Sequence, residues 1–266
     1  MSSFSFAGEA STIYHVRLLN SAESVLPPSR ERVVQMSGLH GALRLVPDLG
    51  ERVLTLECWL DVATHPFVAG QRQARLTNVA AWLNPLRGMQ RLIFDTVPDR
   101  YYWCVVTDAI DARVEARQGM FPVRFTCADP FVYAISPVTI VMTASPHTFT
   151  QAGTAPADPL LRLQGTSTGT GGQQISIAIG GRTLVYRGPL AAGDWLEIDA
   201  AAINSPWPAN AKTVVRVVGA TRTNVLPHME RPIFPTLPTG ANTITVTPAG
   251  GATWSRLDIL TRSRWI

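Results

Sequence analysis

The chain has 266 residues, of which 46% are apolar, and this fraction excludes a disordered polypeptide. The 20 glycines and 20 prolines favour a loop-rich β architecture over a helical bundle. The formal charge of +4 comes almost entirely from arginine, because Lys212 is the only lysine among 23 basic residues, and we attribute this bias to the composition of the coding genome.

The first half of the sequence predicts strands around one helix. Gly38 and Gly41 are spaced as in a turn between two strands, and residues 52–62 alternate between apolar and polar side chains, as a half-buried strand does. Five apolar residues share one face of that strand: Leu54, Leu56, Cys58, Leu60 and Val62. The period then becomes helical over residues 71–84, and Pro85 ends the helix. The predicted apolar face of the helix consists of Leu76, Val79, Ala80 and Leu83.

Strands resume after the helix and continue to the end of the chain. Residues 91–95, 101–107, 112–117 and 120–127 are predicted strands, with a tight hairpin turn at Gln118–Gly119. The second half contains only short strands separated by Gly and Pro, a pattern typical of a β-sandwich. We therefore predict a mainly β protein of two domains. Residues 1–135 form a β-sandwich with one α-helix and a β-hairpin, and residues 136–266 form a second sandwich.

The distribution of charge argues against a nucleic-acid-binding face. Residues 1–135 carry 13 basic and 13 acidic side chains, so the surplus of basic residues lies wholly in the second half. There the arginines are spread singly, whereas nucleic-acid binders cluster them with aromatic residues. Scattered surface arginines are the preferred interpretation, and a face that follows phosphates is the alternative.

Cysteine and histidine spacing predicts neither a metal site nor a disulfide framework. Cys58, Cys104 and Cys127 cannot all pair within one chain, and each lies in an apolar, strand-like run. No Cys-x-x-Cys motif occurs, and the five histidines lack metal-ligand spacing. We predict three buried thiols in a protein made in a reducing cytoplasm. The sequence shows neither a signal peptide nor an apolar run of membrane-spanning length, so we expect no membrane insertion.

Three patterns that suggest catalysis or phosphate binding are each better explained structurally. The glycine-rich run 165–172 lacks the Lys-Ser/Thr and the helix of a phosphate loop, and predicts a hairpin loop. Glu197 and Asp199 share the outer face of a predicted strand, which is common for solvated acids and does not indicate a glycosidase. Ser37 and His40 are close in sequence but have no nucleophile elbow. We therefore predict no catalytic residue, no cofactor and no enzyme activity.

The order of the motifs resembles the distal tail protein (Dit) family of long-tailed bacteriophages. An amino-terminal Phe-x-Phe-x-Gly at residues 4–8 precedes the glycine turn and the long amphipathic strand. Ala-Trp-Leu at 81–83, Leu-Ile-Phe-Asp at 92–95, Tyr-Tyr-Trp at 101–103 and Phe-x-Cys-x-Asp-Pro-Phe at 125–131 follow in order. In the second half, residues 193–199 and 234–244 resemble the family's carboxy-terminal galectin-like sandwich.

This resemblance implies a structural virion protein at the distal end of the phage tail. The family forms a hexameric ring between the major tail tube protein and the tail-tip or baseplate hub protein, and DNA passes through its channel. Its second domains form an attachment platform for receptor-binding or side-fibre proteins. Candidate contacts between subunits are Phe4, Phe6 and Tyr101, together with Arg113, Glu115 and Arg117, which alternate along one hairpin strand. An equal alternative for these three charged residues is a solvated face.

A different class of function, a carbohydrate-binding module used in adsorption, is the alternative hypothesis. It rests on the predicted sandwich and on tryptophans that are candidates for stacking on a sugar ring. Trp207 lies in a Ser-Pro-Trp-Pro loop, and Trp254 is a second candidate. Because function depends on a site and not on a fold, the sandwich alone does not decide between the two hypotheses.

Overall fold

A computed structural model describes residues 3–38, 40–44, 48–61, 71–108, 113–115, 118–201, 212–230 and 232–266. The chain divides into two compact units. The first comprises Met1–Ile135 with Ile266, and the second comprises Ser136–Trp265.

The first unit is built from short strands, one α-helix and two 3-10 turns among its described residues. Its helix is α1 (Gln71–Trp82), and the 3-10 turns are Ser11–Tyr14 and Pro85–Arg87. Its strands are β1 (Phe4–Phe6), β2 (Glu9–Ala10), β3 (Val16–Glu23), β4 (Ser29–Arg30), β5 (Val33–Val34), β6 (Leu43–Arg44), β7 (Asp48–Leu49), β8 (Arg52–Leu60), β9 (Gln90–Phe94), β10 (Arg100–Val106), β11 (Arg113–Glu115), β12 (Gln118–Cys127) and β13 (Val132–Ala134).

The main sheet of the first unit is antiparallel and has the order β2-β1-β9-β10-β12-β8-β3, with β11 on β12 and β13 on β10. β8 alternates as predicted: Leu54, Leu56, Cys58 and Leu60 are all 0% exposed. Val62, the fifth residue of the predicted face, lies outside the described residues. β12 pairs with β8 along its length, from Gly119 opposite Leu60 to Cys127 opposite Arg52.

The helix differs from its predicted face by one residue. Val79 and Leu83 are buried and Leu76 packs against the core, as expected, but Ala80 is exposed and Trp82 takes its place in the core. The buried face of the helix is therefore rotated towards Trp82, whose large indole fills the core. Ala80 lies on the opposite side of the apolar face and points to solvent.

The second unit consists of twelve described strands and one 3-10 turn, Leu226–His228. The strands are β14 (Val138–Met142), β15 (His147–Gln151), β16 (Leu160–Thr168), β17 (Gln174–Ile179), β18 (Arg182–Tyr186), β19 (Pro189–Leu190), β20 (Trp195–Asp199), β21 (Thr213–Val218), β22 (Thr221–Asn224), β23 (Gly240–Ala249), β24 (Thr253–Thr261) and β25 (Arg264–Trp265).

Two antiparallel sheets enclose the core of the second unit. One has the order β14-β24-β16-β20-β21-β22, with β19 on β16, and the other has the order β15-β23-β17-β18. Alternate residues of both sheets, such as Leu161, Leu163, Ile175 and Ile177, form one buried cluster between them. The prediction of a mainly β protein with sandwich packing is confirmed.

The glycine-rich run does not form the predicted hairpin. β16 extends through Thr168 into this run, and β16 and β17 belong to different sheets. Gly169, Gly171 and Gly172 have φ angles of +73°, +62° and +78°, a region that favours glycine. The run therefore carries the chain from one sheet of the sandwich to the other.

Candidate assembly surfaces

One long hairpin extends out of the main sheet of the first unit. β3 and β8 pair from Val16 opposite Leu60 to Glu23 opposite Leu54. Beyond Glu23 the two arms of the hairpin pair again, first as β4 with β7 and then as β5 with β6. Gly38 and Gly41, with φ angles of +84° and +90°, lie at its turn. This confirms the glycine turn predicted from the sequence. We call the described part of this hairpin, residues 24–38, 40–44 and 48–50, the ribbon.

The ribbon exposes apolar side chains that a two-stranded structure cannot bury. Val25 is 95% exposed, Val33 54%, Met36 53% and Leu43 49%. An ion pair between Arg44 and Glu31 and a hydrogen bond from Arg30 Nη2 to the Leu49 carbonyl oxygen (3.2 Å) tie the two strands together. An isolated two-stranded ribbon is only marginally stable in water, and contiguous exposed apolar side chains mark interaction surfaces. The ribbon therefore has the properties of a docking element.

The aromatic residues predicted to contact another subunit are instead part of the core. Phe4 is 0% and Phe6 1% exposed, and both rings pack on Trp82, with centroid distances of 5.6 and 6.4 Å. Tyr101 is also 0% exposed, its ring stacks on Tyr133 at 5.8 Å, and the Arg91 guanidinium lies 4.8 Å from its centroid. Because these rings are enclosed within their own chain, they are not available to a neighbouring subunit.

Two of the three charged residues predicted to contact another subunit, Arg113 and Glu115, lie in β11, which pairs with β12. Arg113 is opposite Met120 and Glu115 is opposite Gln118 in this pair of strands. Met120 is 47% exposed, so part of the hairpin surface is apolar. Arg117 lies outside the described residues, and the role of the three charged residues stays a prediction.

The outer face of the larger sheet in the second unit carries a network of ion pairs. Glu197 binds two arginines: its Oε1 lies 2.9 Å from Arg162 Nε, and its other oxygen pairs with Arg222. The guanidinium of Arg162 also lies 4.9 Å from the centroid of the Trp195 ring. Glu197 and Asp199 are 6% and 4% exposed, so the expectation of solvated acids was wrong. Arg162 and Arg222 bind the Glu197 carboxylate, and the Asp199 carboxylate accepts a hydrogen bond from the Ala201 amide at 2.9 Å.

A cavity of about 370 Å³ lies in the second unit, where β16 and β19 pair. It is lined by the polar residues Thr166, Ser167, Thr168, Gln173 and Arg216, and by Pro189, Leu190, Ala191 and Gly251. The charge of Arg216 is compensated, because its Nε lies 3.5 Å from Asp194 Oδ2 and its Nη1 donates a hydrogen bond to the Pro189 carbonyl oxygen at 3.3 Å.

The structure describes one of the two candidate sugar-stacking tryptophans. Trp207 lies outside the described residues, and Trp254 packs against the core of the second unit. Across the described ranges, no group of three or more His, Cys, Asp or Glu side chains is arranged to hold a metal ion. In the same ranges, no helix is long and apolar enough to cross a membrane.

Comparisons with known proteins give a consistent picture. Residues 12–127 match the family model of the phage tail protein RIFT-related domain. The Dit protein of phage SPP1, described as a paradigm of the hub adsorption apparatus in phages that infect Gram-positive bacteria, has a TM-score of 0.76 at 13% identity, and the match covers 100% of each chain. A chain of the phage P2 baseplate in its activated conformation with Ca has a TM-score of 0.50 at 9% identity, and the match covers 99% of this chain and 98% of that one. No curated protein sequence matches the chain.

These comparisons confirm the resemblance inferred from the sequence motifs. Residues 12–127 match a phage tail domain model, and the whole chain has the same fold as the Dit protein of phage SPP1. The matching descriptions are of tail and baseplate proteins and not of enzymes, in agreement with the prediction that the chain is not an enzyme.

Sequence reasoning missed both surfaces that the structure brings out. The exposed ribbon was predicted only as a turn, because a sequence does not reveal how far a hairpin extends beyond its sheet. The ion-pair network was missed because Arg162, Glu197 and Arg222 become neighbours only through strand pairing. The only sequence signal for this network was the alternation of charged and apolar residues along the predicted strands.

Proposed function

We propose that the protein is a distal tail protein that forms a hexameric ring between the tail tube protein and the tail-tip or baseplate hub. DNA passes through the channel of this ring during ejection, and the second unit serves as a platform for receptor-binding or side-fibre proteins. The observation that carries the proposal is the exposed apolar ribbon on a domain that matches a phage tail family. The protein is made in the host cytoplasm and functions at the distal end of the virion tail.

The ribbon supplies the contact between neighbouring subunits in this proposal. Ring closure requires each subunit to present one surface to the next, and a hairpin that extends out of its own sheet can lie on an adjacent copy. Val34 and Leu43 lie opposite each other on one face of the ribbon, 41% and 49% exposed, and burying both contributes roughly 2 kcal/mol per interface. The β11–β12 hairpin, with Met120 exposed and Arg113 and Glu115 in β11, is a second candidate surface.

Charge balance in the first unit suits a DNA channel. A wall with a strong positive charge would bind DNA tightly through counterion release and would retard its passage. Residues 1–135 carry 13 basic and 13 acidic side chains, so the domain assigned to the ring has no net charge. DNA is therefore a transient passenger in this proposal and not a bound ligand.

The test measures the mass and shape of the purified full chain by native mass spectrometry and electron microscopy. We expect six-membered rings with a central channel. The double variant Val34→Ser/Leu43→Ser should weaken each interface about thirtyfold, while Leu86→Ser, at a residue 92% exposed outside the ribbon, should leave the rings intact. A chain that stays monomeric at high concentration and is absent as a ring from assembled tails would refute the proposal.

Carbohydrate binding by the second unit is a second candidate function, favoured by the cavity that Thr166, Ser167 and Thr168 help to line. Its apolar wall and its neutralised arginine are compatible with a pyranose ring, and the volume lies near the lower end for ligand pockets. A glycan array probed with the full chain decides this point. Binding that is lost in Gln173→Ala would support it, and the absence of any signal would remove it.

A further inference from the structure

Two of the three buried cysteines lie opposite each other across a seam of the main sheet. β10 and β12 pair at Val105 opposite Thr126 and at Val106 opposite Phe125, so the next step along this ladder places Cys104 opposite Cys127. Both side chains are 0% exposed and belong to the same core cluster. Burial, with a smaller contribution from the neighbouring Cys127 side chain, raises the pKa of the Cys104 thiol well above its ordinary value.

The position of this pair in the ladder suits a disulfide. The Thr107 amide donates to the Arg124 carbonyl oxygen at 3.2 Å, so residues 107 and 124 form a hydrogen-bonded pair. Such pairs alternate with pairs that have no hydrogen bonds between them, and Cys104 and Cys127 fall at one of the latter. There the Cα atoms are about 4.5 Å apart and the side chains are closest, which is within the range that disulfides span.

Oxidation would strengthen a weak part of the sheet. β12 pairs with β8 over nine residues but with β10 over only two, so the β10–β12 seam is the shorter of the two joints that hold β12. A short seam opens more readily, and such opening gives a small oxidant access to buried thiols. A disulfide at the end of the β10–β12 pairing would keep the two strands together until it is reduced.

We infer that Cys104 and Cys127 form an intrachain disulfide when the protein leaves a reducing cytoplasm for an oxidising medium. The oxidant is a low-molecular-weight disulfide: one thiolate attacks it to give a mixed disulfide and release one small thiol. The second cysteine then attacks the mixed disulfide, forms the Cys104–Cys127 bond and releases the other small thiol. Two protein thiols are oxidised, one small disulfide is reduced to two thiols, and the two protons pass to the released thiolates.

Cys58 provides an internal control because it has no cysteine opposite it. Its neighbours across the sheet are Phe121 in β12 and Leu18 in β3. Cys58 is 0% exposed and has no thiol across the sheet with which to close a disulfide. The third thiol therefore remains reduced when the other two are oxidised.

The experiment uses the full chain, purified in reducing buffer and then incubated with oxidised glutathione. Free thiols are alkylated after unfolding, and a tryptic digest is analysed without reduction. We expect the peptide Tyr101–Arg113 to be linked to Phe125–Arg162, with Cys58 alkylated. Oxidation should also raise the midpoint of thermal unfolding by roughly 10 °C.

Variants then separate the specific bond from general oxidation. Cys58→Ala should form the same linked peptide and show the same rise in the midpoint, while Cys104→Ala should show neither. The peptide map of the natural chain needs no variant, so the inference stays testable if Cys104→Ala fails to fold. Full alkylation of Cys104 and Cys127 after prolonged incubation, or a link that involves Cys58, would overturn it.

Discussion

Trp82 is the side chain through which the helix holds the amino-terminal strand, and replacing it should release that strand. The indole is 1% exposed and stacks on Tyr14 at 4.6 Å and on Phe4 at 5.6 Å. Its Nε1–H donates a hydrogen bond to the Phe6 carbonyl oxygen at 3.0 Å. Strand β1 has only three residues, so this packing contributes much of what keeps it in the sheet.

Two substitutions separate the hydrogen bond from the packing. Trp82→Ala removes the whole ring from a closed site, a change that typically costs 3–5 kcal/mol, and it also leaves the Phe6 carbonyl without this donor. We expect the free energy of unfolding to fall by about 5 kcal/mol. Trp82→Phe keeps an aromatic ring against Phe4 and Tyr14 but loses the N–H group and some volume, so we expect a loss of about 2 kcal/mol.

Denaturant titration of the full chain gives both values, and hydrogen exchange shows where they act. Amides of β1 and β9, together with the Ala7 amide that donates to the Arg91 carbonyl oxygen, should lose protection first. Trp103→Phe, at a half-buried position on β10, is the matched control and should cost less than about 1 kcal/mol. If Trp82→Ala stayed within 1 kcal/mol of the natural chain, the role assigned to this residue would be refuted.

Two further predictions concern stability. Gly180→Ala should lower the free energy of unfolding by about 3 kcal/mol, because a Cβ there would lie 2.0 Å from the Thr236 carbonyl oxygen at a φ of +57°; Gly181→Ala, with open space at a φ of +71°, should cost only about 1 kcal/mol in the same urea titration. Burial raises the pKa of Cys58 from 9.0 to about 12, so the folded state holds this proton more tightly and stability should fall as the pH rises from about 9 to 12. The fall should be shallower in Cys58→Ala, and identical pH profiles for the two proteins would contradict the assignment.

The regular strands could be predicted from the sequence because their signal is local. Leu54, Leu56 and Leu60 alternate with polar residues in the printed sequence and are buried together in β8. The glycine turn was equally local. Helix orientation was less certain, since the size of Trp82 decided which edge of the apolar stripe enters the core.

Features that depend on pairing between distant strands could not be predicted. The glycine-rich run looks like a hairpin until one knows that β16 and β17 pair in different sheets. The burial of Phe4 and Phe6 depends on Trp82, far away in sequence. The placement of Cys104 opposite Cys127 likewise depends on the register of β10 against β12, which no local sequence pattern reveals.

The arginines of the second unit have a structural use that changes the interpretation of the basic composition. Among the described residues of this unit, five acids each pair with at least one arginine: Asp158 with Arg264, Asp194 with Arg216, Glu197 with Arg162 and Arg222, Glu230 with Arg187, and Asp258 with Arg256.

These pairs use properties that lysine lacks. Arg256 binds both oxygens of Asp258, at 2.7 and 3.0 Å, while its guanidinium lies 5.7 Å from the centroid of the Trp195 ring. A planar guanidinium can form a bidentate pair and cover an aromatic ring together, whereas an ammonium acts as a point charge. At this position arginine therefore has a structural use that lysine could not replace. Because these six guanidiniums are already bound to carboxylates, they are not available to bind a polyanion.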